Sequence, residues 1–228
     1  MKRTLSFIAA GIVGVIIALF VLPFVNHTFA QTAIPAFAQA TTPPSTALPA
    51  HEAAALVFMR EEEKLARDVY LTLGGIWSLP IFENIAASEQ AHMDALKILL
   101  DRYGLTDPAA GQAQGKFTNQ DLQALYNTLV ARGATSLPEA LAVGAAIEEI
   151  DILDLQARTT ASTPADIVRV YTQLGQASEQ HLRAFVRQWE AQTGSTYQPQ
   201  HLDAATYQTI IAGNGNGNGN GGGRRGRP

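Results

Sequence analysis

A chain of 228 residues, 46% of them hydrophobic, is long enough for one domain with a real core. The formal charge of -4 hides an asymmetry: five of the 16 basic residues (Lys2, Arg3, Arg224, Arg225, Arg227) sit at the ends, and all 20 acidic residues lie between Glu52 and Asp203. This acidic middle argues against a phosphate-binding face, so no nucleic-acid partner is expected for the domain. The absence of cysteine excludes disulfides, thiolate chemistry and cysteine-ligated clusters, so any metal must be held by oxygen and imidazole.

The N-terminus opens Met1-Lys2-Arg3, continues as an apolar run over residues 5–25, and reaches the small-x-small sequence Ala36-Phe37-Ala38. It reads as a secretory signal cleaved after Ala30 or Ala38, and the run, at about 20 residues, is equally long enough to stay as a membrane anchor. Either way residues 1–30 place the domain outside the cytoplasm, secreted or tethered to the membrane. Residues 31–49, rich in Ala, Thr and Pro, form a linker.

From residue 50 apolar side chains recur at helical spacing and no stretch alternates like a strand, so a domain over residues 50–205 is predicted to be all-α. A first long helix is expected over residues 48–73, stopped by Gly74-Gly75. A second follows Ser78 and Pro80 and stops at Tyr103-Gly104. A long crossover then holds a short helix over residues 118–132, capped by Thr118 and ended by Gly133. Ser136 with Glu139 makes a capping box for the third long helix, to about residue 157, with Pro138 tolerated in its first turn. Thr163, Pro164 and Asp166 open the fourth, which ends before Gly194. Residues 213–228, Gly-Asn repeats ending in Arg224-Arg225-Gly226-Arg227-Pro228, are expected to be a disordered tail. Short links with one long crossover are the connectivity of a ferritin-like antiparallel four-helix bundle.

Helical spacing also sorts polar residues by face. On the first long helix Leu56, Met59, Glu63, Ala66 and Tyr70 share one stripe, and on the second Ile85, Glu89, His92, Leu96 and Leu99 do. The third carries Leu141, Gly144, Glu148, Asp151 and Leu155, and the fourth Tyr171, Leu174, Ser178, His181 and Phe185. Each stripe therefore has ionisable groups at its centre. Singly, these have bland readings: Glu61-Glu62-Glu63 and Glu148-Glu149 could be solvated faces, and a lone Glu-x-x-His recurs by chance. Together, burying four unpaired carboxylates, at several kcal/mol each, would exceed a domain's stability of about 5–15 kcal/mol. Two divalent cations would neutralise Glu63, Glu89, Glu148 and Asp151, with His92 and His181 each completing one of them. Oxygen and imidazole donors suit iron or manganese, and do not exclude zinc. Tyr70 and Tyr171 are expected to fill the core with hydroxyls finding a carboxylate.

Glu63-Lys64-Leu65-Ala66-Arg67, Glu89-Gln90-Ala91-His92 and Glu148-Glu149-Ile150-Asp151 resemble the ligand helices of rubrerythrin-like proteins of the ferritin-like superfamily. More closely, the chain resembles the family known as domain of unknown function 2202. The resemblance implies a di-iron or di-manganese carboxylate site, with Glu63, Glu89, His92, Glu148, Asp151 and His181 as ligands. It further implies oxygen or peroxide as reactants in a ferroxidase or peroxidase. One departure stands out: where such sites present Glu-x-x-His on the fourth helix, this chain has Ser178-Glu179-Gln180-His181, so a bridging carboxylate is missing; either Asp151 or Glu149 compensates, or the site binds one metal well and the second weakly. The alternative is a non-catalytic metal-binding or helical interaction protein of the cell envelope.

Overall fold

The structure is a computed structural model and describes residues 48–213. The expected signal or anchor, nearly all of the linker and the Gly-Asn-Arg tail lie outside the described residues. Among the described residues the chain forms six α-helices and no strand: α1 (Ala50–Trp77), α2 (Pro80–Arg102), α3 (Gln120–Gly133), α4 (Leu137–Ala161), α5 (Ala165–Thr193) and α6 (Ala204–Ala212). None of these is long and apolar enough to cross a membrane.

The helix ends follow their local chemistry. Pro80 occupies the first turn of α2, where its missing N–H is no loss, and the Ser136 hydroxyl accepts from the Glu139 N–H to open α4. Gly194, at φ 68°, closes α5 in the left-handed conformation that glycine adopts without strain. Four boundaries differ from expectation. The first long helix runs through Gly74-Gly75 to Trp77 and stops at Ser78, itself left-handed at φ 51°, whose N–H donates to the Gly74 carbonyl. Gly74 is a packing position rather than a stop, because a Cβ there would meet Phe82 Cβ at 3.2 Å across the α1–α2 turn. Asn119, not Thr118, caps α3, its side chain accepting from the Asp121 and Leu122 amides. α4 continues to Ala161. The C-terminal helix α6, absent from the expected elements, extends past residue 205 and is capped by Asp203.

The two-residue turn after α1 folds it back along α2, and the three-residue link after α4 folds it along α5. The pairs meet where α1 faces α4 and α2 faces α5, while α3 packs on α1 and α4. α4 is buried almost continuously from Ala140 to Glu149 because it has neighbours on several sides. Gly144 lets Phe185 lie against its backbone: a Cβ there would sit 2.4 Å from the ring.

The apolar core forms two clusters. One gathers Leu65, Tyr70, Phe82, Ile85, Leu141 and Phe185, and reaches Tyr197, Tyr207 and Ile210 of the C-terminal segment. The other gathers Leu56, Met59, Leu96, Leu99, Leu155, Ile167 and Leu174. In sequence, Glu63 falls between Met59 and Leu65, Glu89 and His92 between Ile85 and Leu96, Glu148 and Asp151 between Leu141 and Leu155, and His181 between Leu174 and Phe185. The polar layer is thus bracketed by apolar packing that excludes water from both sides.

Candidate metal centre

Helix spacing places Glu63 of α1, Glu89 and His92 of α2 and Glu148 of α4 in the interior, each buried, with His181 of α5 partly buried beside them. They converge as two triads, Glu63–Glu89–His92 and Glu89–Glu148–His181, whose ligand atoms all lie within 4.8 Å of one another. Glu89 belongs to both. Its Oε2 lies 2.7 Å from His92 Nδ1, and its Oε1 lies 2.9 Å from His181 Nδ1. His92 Nδ1 is also 3.2 Å from Glu63 Oε2, and His181 Nδ1 is 3.5 Å from Glu148 Oε2. The two imidazoles stack with centroids 5.7 Å apart.

Oxygen and nitrogen ligands about 2.1 Å from a common ion stand roughly 3 Å apart when at right angles, which is the spacing seen here. The donor set fits a cation in a second way. Glu63 Oε1, Glu89 Oε1, Asp151 Oδ1 and His181 Nδ1 are buried without a hydrogen-bond partner. Glu89 Oε1 and His181 Nδ1 are close, yet the ring N–H does not align on the oxygen as a hydrogen bond requires. Leaving such groups buried and unsatisfied costs about 1–3 kcal/mol each.

Without a cation, protons hold the layer together. Burial by itself would lower His92, but its hydrogen bonds to Glu63 and Glu89 push it up to about 11. His181, likewise opposed by burial, is raised to about 10 by Glu148 and Glu89. Burial would raise Glu89, yet the two imidazoles hold it down to about 2. Glu63 has less compensation, and burial lifts it to about 8. Glu148 is raised by burial and by the Glu89 charge, and Asp151 well above its usual range by burial and then by Glu63 and Glu148.

The surrounding residues sort cleanly. Tyr70 donates to Glu148 Oε1 at 2.6 Å, so this hydroxyl does find a carboxylate; Tyr171 is buried in the cluster below. Asp151, one turn beyond Glu148, lies beside the triads rather than in either, and its Oδ2 is 2.5 Å from Ser178 Oγ. Glu149 points elsewhere: it accepts from Tyr197 Oη and from the amides of Gln200, His201 and Leu202, anchoring the C-terminal segment. It is not available to replace the missing fourth-helix carboxylate. Glu61 accepts from the Thr118 and Asn119 amides, so it too is a structural anchor rather than a solvated residue. Glu62 is buried toward Asp154, Asp151 and Arg158, a placement that its own helix stripe did not mark.

Together these features define, among the described residues, an all-helical domain with a buried carboxylate–histidine cluster that could hold metal. Over residues 52–214 the sequence matches the family described as an uncharacterized protein domain, DUF2202, and the chain belongs to that family. It is 46% identical over 169 residues to an uncharacterized protein of Methanocaldococcus jannaschii, covering 74% of this chain and 91% of the relative. The crystal structure of a hypothetical protein from Methanococcus jannaschii is similar with a TM-score of 0.72 at 46% identity, over 75% of this chain and 97% of that one.

Proposed function

We propose that the protein is a ferritin-like metalloprotein whose two triads would each hold one divalent ion, iron or manganese, with Glu89 a member of both. The observation that carries this is the sharing of Glu89, with each carboxylate oxygen facing a different histidine and unsatisfied atoms on both sides. The pairing of helices around one long crossover supports the ferritin-like assignment. Carboxylate and imidazole donors suit these metals. When bound, such ions would supply redox chemistry with dioxygen or peroxide, and the activity proposed on that ground is that of a ferroxidase or peroxidase. The chain's own contribution is to fix the donors on four rigid helices, to keep bulk water away with two apolar clusters, and to hold protons at His92 and His181 that a cation displaces.

Crystals of iron- or manganese-loaded protein, with anomalous scattering recorded at each metal's edge, test the site: two peaks within the triads are expected. Less than one ion per chain after loading would sink the reading. The redox assignment is tested separately, since ferrous oxidation and peroxide consumption should both exceed those of His92→Ala. The N-terminal sequence carries the further proposal that the protein is exported; a mature N-terminus at residue 31 or 39 would mark cleavage, and an intact one in the membrane fraction would mark anchoring.

A further inference from the structure

Ser178 occupies the position where a fourth-helix carboxylate would complete a two-metal site, and the structure shows what stands in for it. Ser178 is fully buried, three residues before His181 on α5, just as Asp151 is three residues beyond Glu148 on α4. Its Oγ lies 2.5 Å from Asp151 Oδ2 and 2.9 Å from the Leu174 carbonyl of the preceding turn. The one hydroxyl proton is shared between these two acceptors, its own helix backbone and a carboxylate oxygen of the neighbouring helix, and the shorter contact is to the carboxylate. The other oxygen, Asp151 Oδ1, is buried and has no hydrogen-bond partner. An ordinary interhelical hydrogen bond would account for Oδ2 but leave Oδ1 paying a desolvation cost for nothing.

Charge points the same way. Glu63, Glu89 and Glu148 bring three negative charges to two divalent ions with four positive ones, and a surplus charge in a water-poor layer is costly. Asp151 supplies the fourth. Glu149 is consumed by Tyr197 Oη and three backbone amides, and Glu62, also buried beside Asp151, is engaged with Asp154 and Arg158.

We propose that Ser178 and Asp151 act as a split replacement for the missing carboxylate: Ser178 is the positioning residue that holds Oδ2, and Asp151 Oδ1 is the additional ligand that completes the second metal position. This rests on the two-ion reading of the triads.

The test is titration of the metal-free full chain with Mn(II) under anaerobic conditions, with stoichiometry from calorimetry and ion pairing from electron paramagnetic resonance. Wild type should bind two Mn(II) and show the spectrum of an exchange-coupled pair. Asp151→Asn should weaken the second ion about 100-fold and leave an isolated-ion spectrum, and Ser178→Ala should weaken it about tenfold. Ser178→Glu placed on Asp151→Asn should restore two-ion binding, which a merely structural bond between α4 and α5 would not do. Two coupled ions in Asp151→Asn, or unchanged second-ion affinity in Ser178→Ala should the Asn variant not fold, overturns the inference. A single ion in wild type overturns it while leaving a metal site; no ion in wild type overturns the two-triad reading itself.

Discussion

Two sets of buried charge share the same stretch of α1, and they are finished to different degrees. On one side, Lys64 Nζ, only 1% exposed, reaches Asp68 and the carbonyls of Ala113 and Lys116. Asp68 in turn accepts from Arg67 and the Gly115 amide, and Arg60 forks onto Asp107. Glu61 takes the Thr118 and Asn119 amides. Every charge there has a partner within the chain, Arg60 Nη1 being the one buried atom of that set without a hydrogen bond, and the result is a crossover clamped to α1. On the other side, Glu63, Glu89, Asp151 and His181 each keep an unpartnered atom. Adjacent residues on α4 repeat the contrast: Glu149 has four donors, whereas Glu148 has Tyr70 on one oxygen and an imidazole near the other. A completed network is structural, and an incomplete one of the same residue types is a place built for something else.

The largest effect should come from breaking the completed side. Asp68→Ala strands Lys64 in the interior and frees the Gly115 amide, at a cost of about 3–5 kcal/mol. Urea unfolding should show that loss equally with and without Mn(II). A loss that metal largely reverses would erase the distinction between the two networks.

On the incomplete side the signature reverses. Glu89→Gln keeps the volume and most of the packing but removes the charge shared by both triads. At free metal a hundredfold above its dissociation constant, one site stabilises the folded chain by about 2.7 kcal/mol, and that increment should vanish in the variant. Metal that still raises the variant's unfolding midpoint as much as wild type's would show that the ion binds elsewhere.

The proton-filled layer adds a pH test. His92 at about 11 and His181 at about 10 sit above the ordinary imidazole value near 6.5, so the folded chain keeps protons that the unfolded chain loses. Their stabilisation is complete below pH about 6.5 and is lost as pH rises toward those folded values, at up to about 1.4 kcal/mol per pH unit for each group. Glu63, raised from 4.5 to about 8, adds the same sign between those values. Glu89 acts oppositely, its stabilisation being present above about 4.5 and lost as pH falls toward 2. Metal-free protein should therefore lose stability from pH 6.5 to 9. Metal affinity should climb over the same range, because a cation must displace those protons, and calorimetry in buffers of different ionisation enthalpy should register their release. Parallel pH slopes with and without metal would contradict this.

Much of this was legible in the sequence because it is local. Pro80, the Ser136 box and Gly194 act within one turn, and the stripe rule found Glu63, Glu89, His92, Glu148 and His181, since a single helix's period decides which residues face in. What escaped depends on partners far along the chain. Glu61 meets the crossover 57 residues away and Glu149 meets Tyr197 48 residues away, and neither helix's own period shows those partners. Glu62 belongs to no stripe and is buried because α4 closes over it. The Gly74-Gly75 pair read as a stop because glycine more often ends helices, whereas here close packing against Phe82 outweighed that tendency. Helix α6 is short, and its signals, Asp203 with Tyr207 and Ile210, gain meaning only from the core they join.

The smallest expected effect probes where the two kinds of network touch. Tyr70 belongs to the apolar core, its ring tilted against Phe185 with centroids 5.1 Å apart, yet its hydroxyl donates to Glu148 Oε1 and leaves Oε2 facing His181. That single bond sets which oxygen of Glu148 is free for an ion. Tyr70→Phe removes it while keeping the ring, so stability should fall by about 1 kcal/mol, the ordinary value of one hydrogen bond. Metal affinity should fall about tenfold, as loss of a group that orients a ligand typically produces. If affinity is unchanged while stability falls, Tyr70 belongs with Asp68 and Glu149 on the structural side, and Glu148 is held in place by its helix alone.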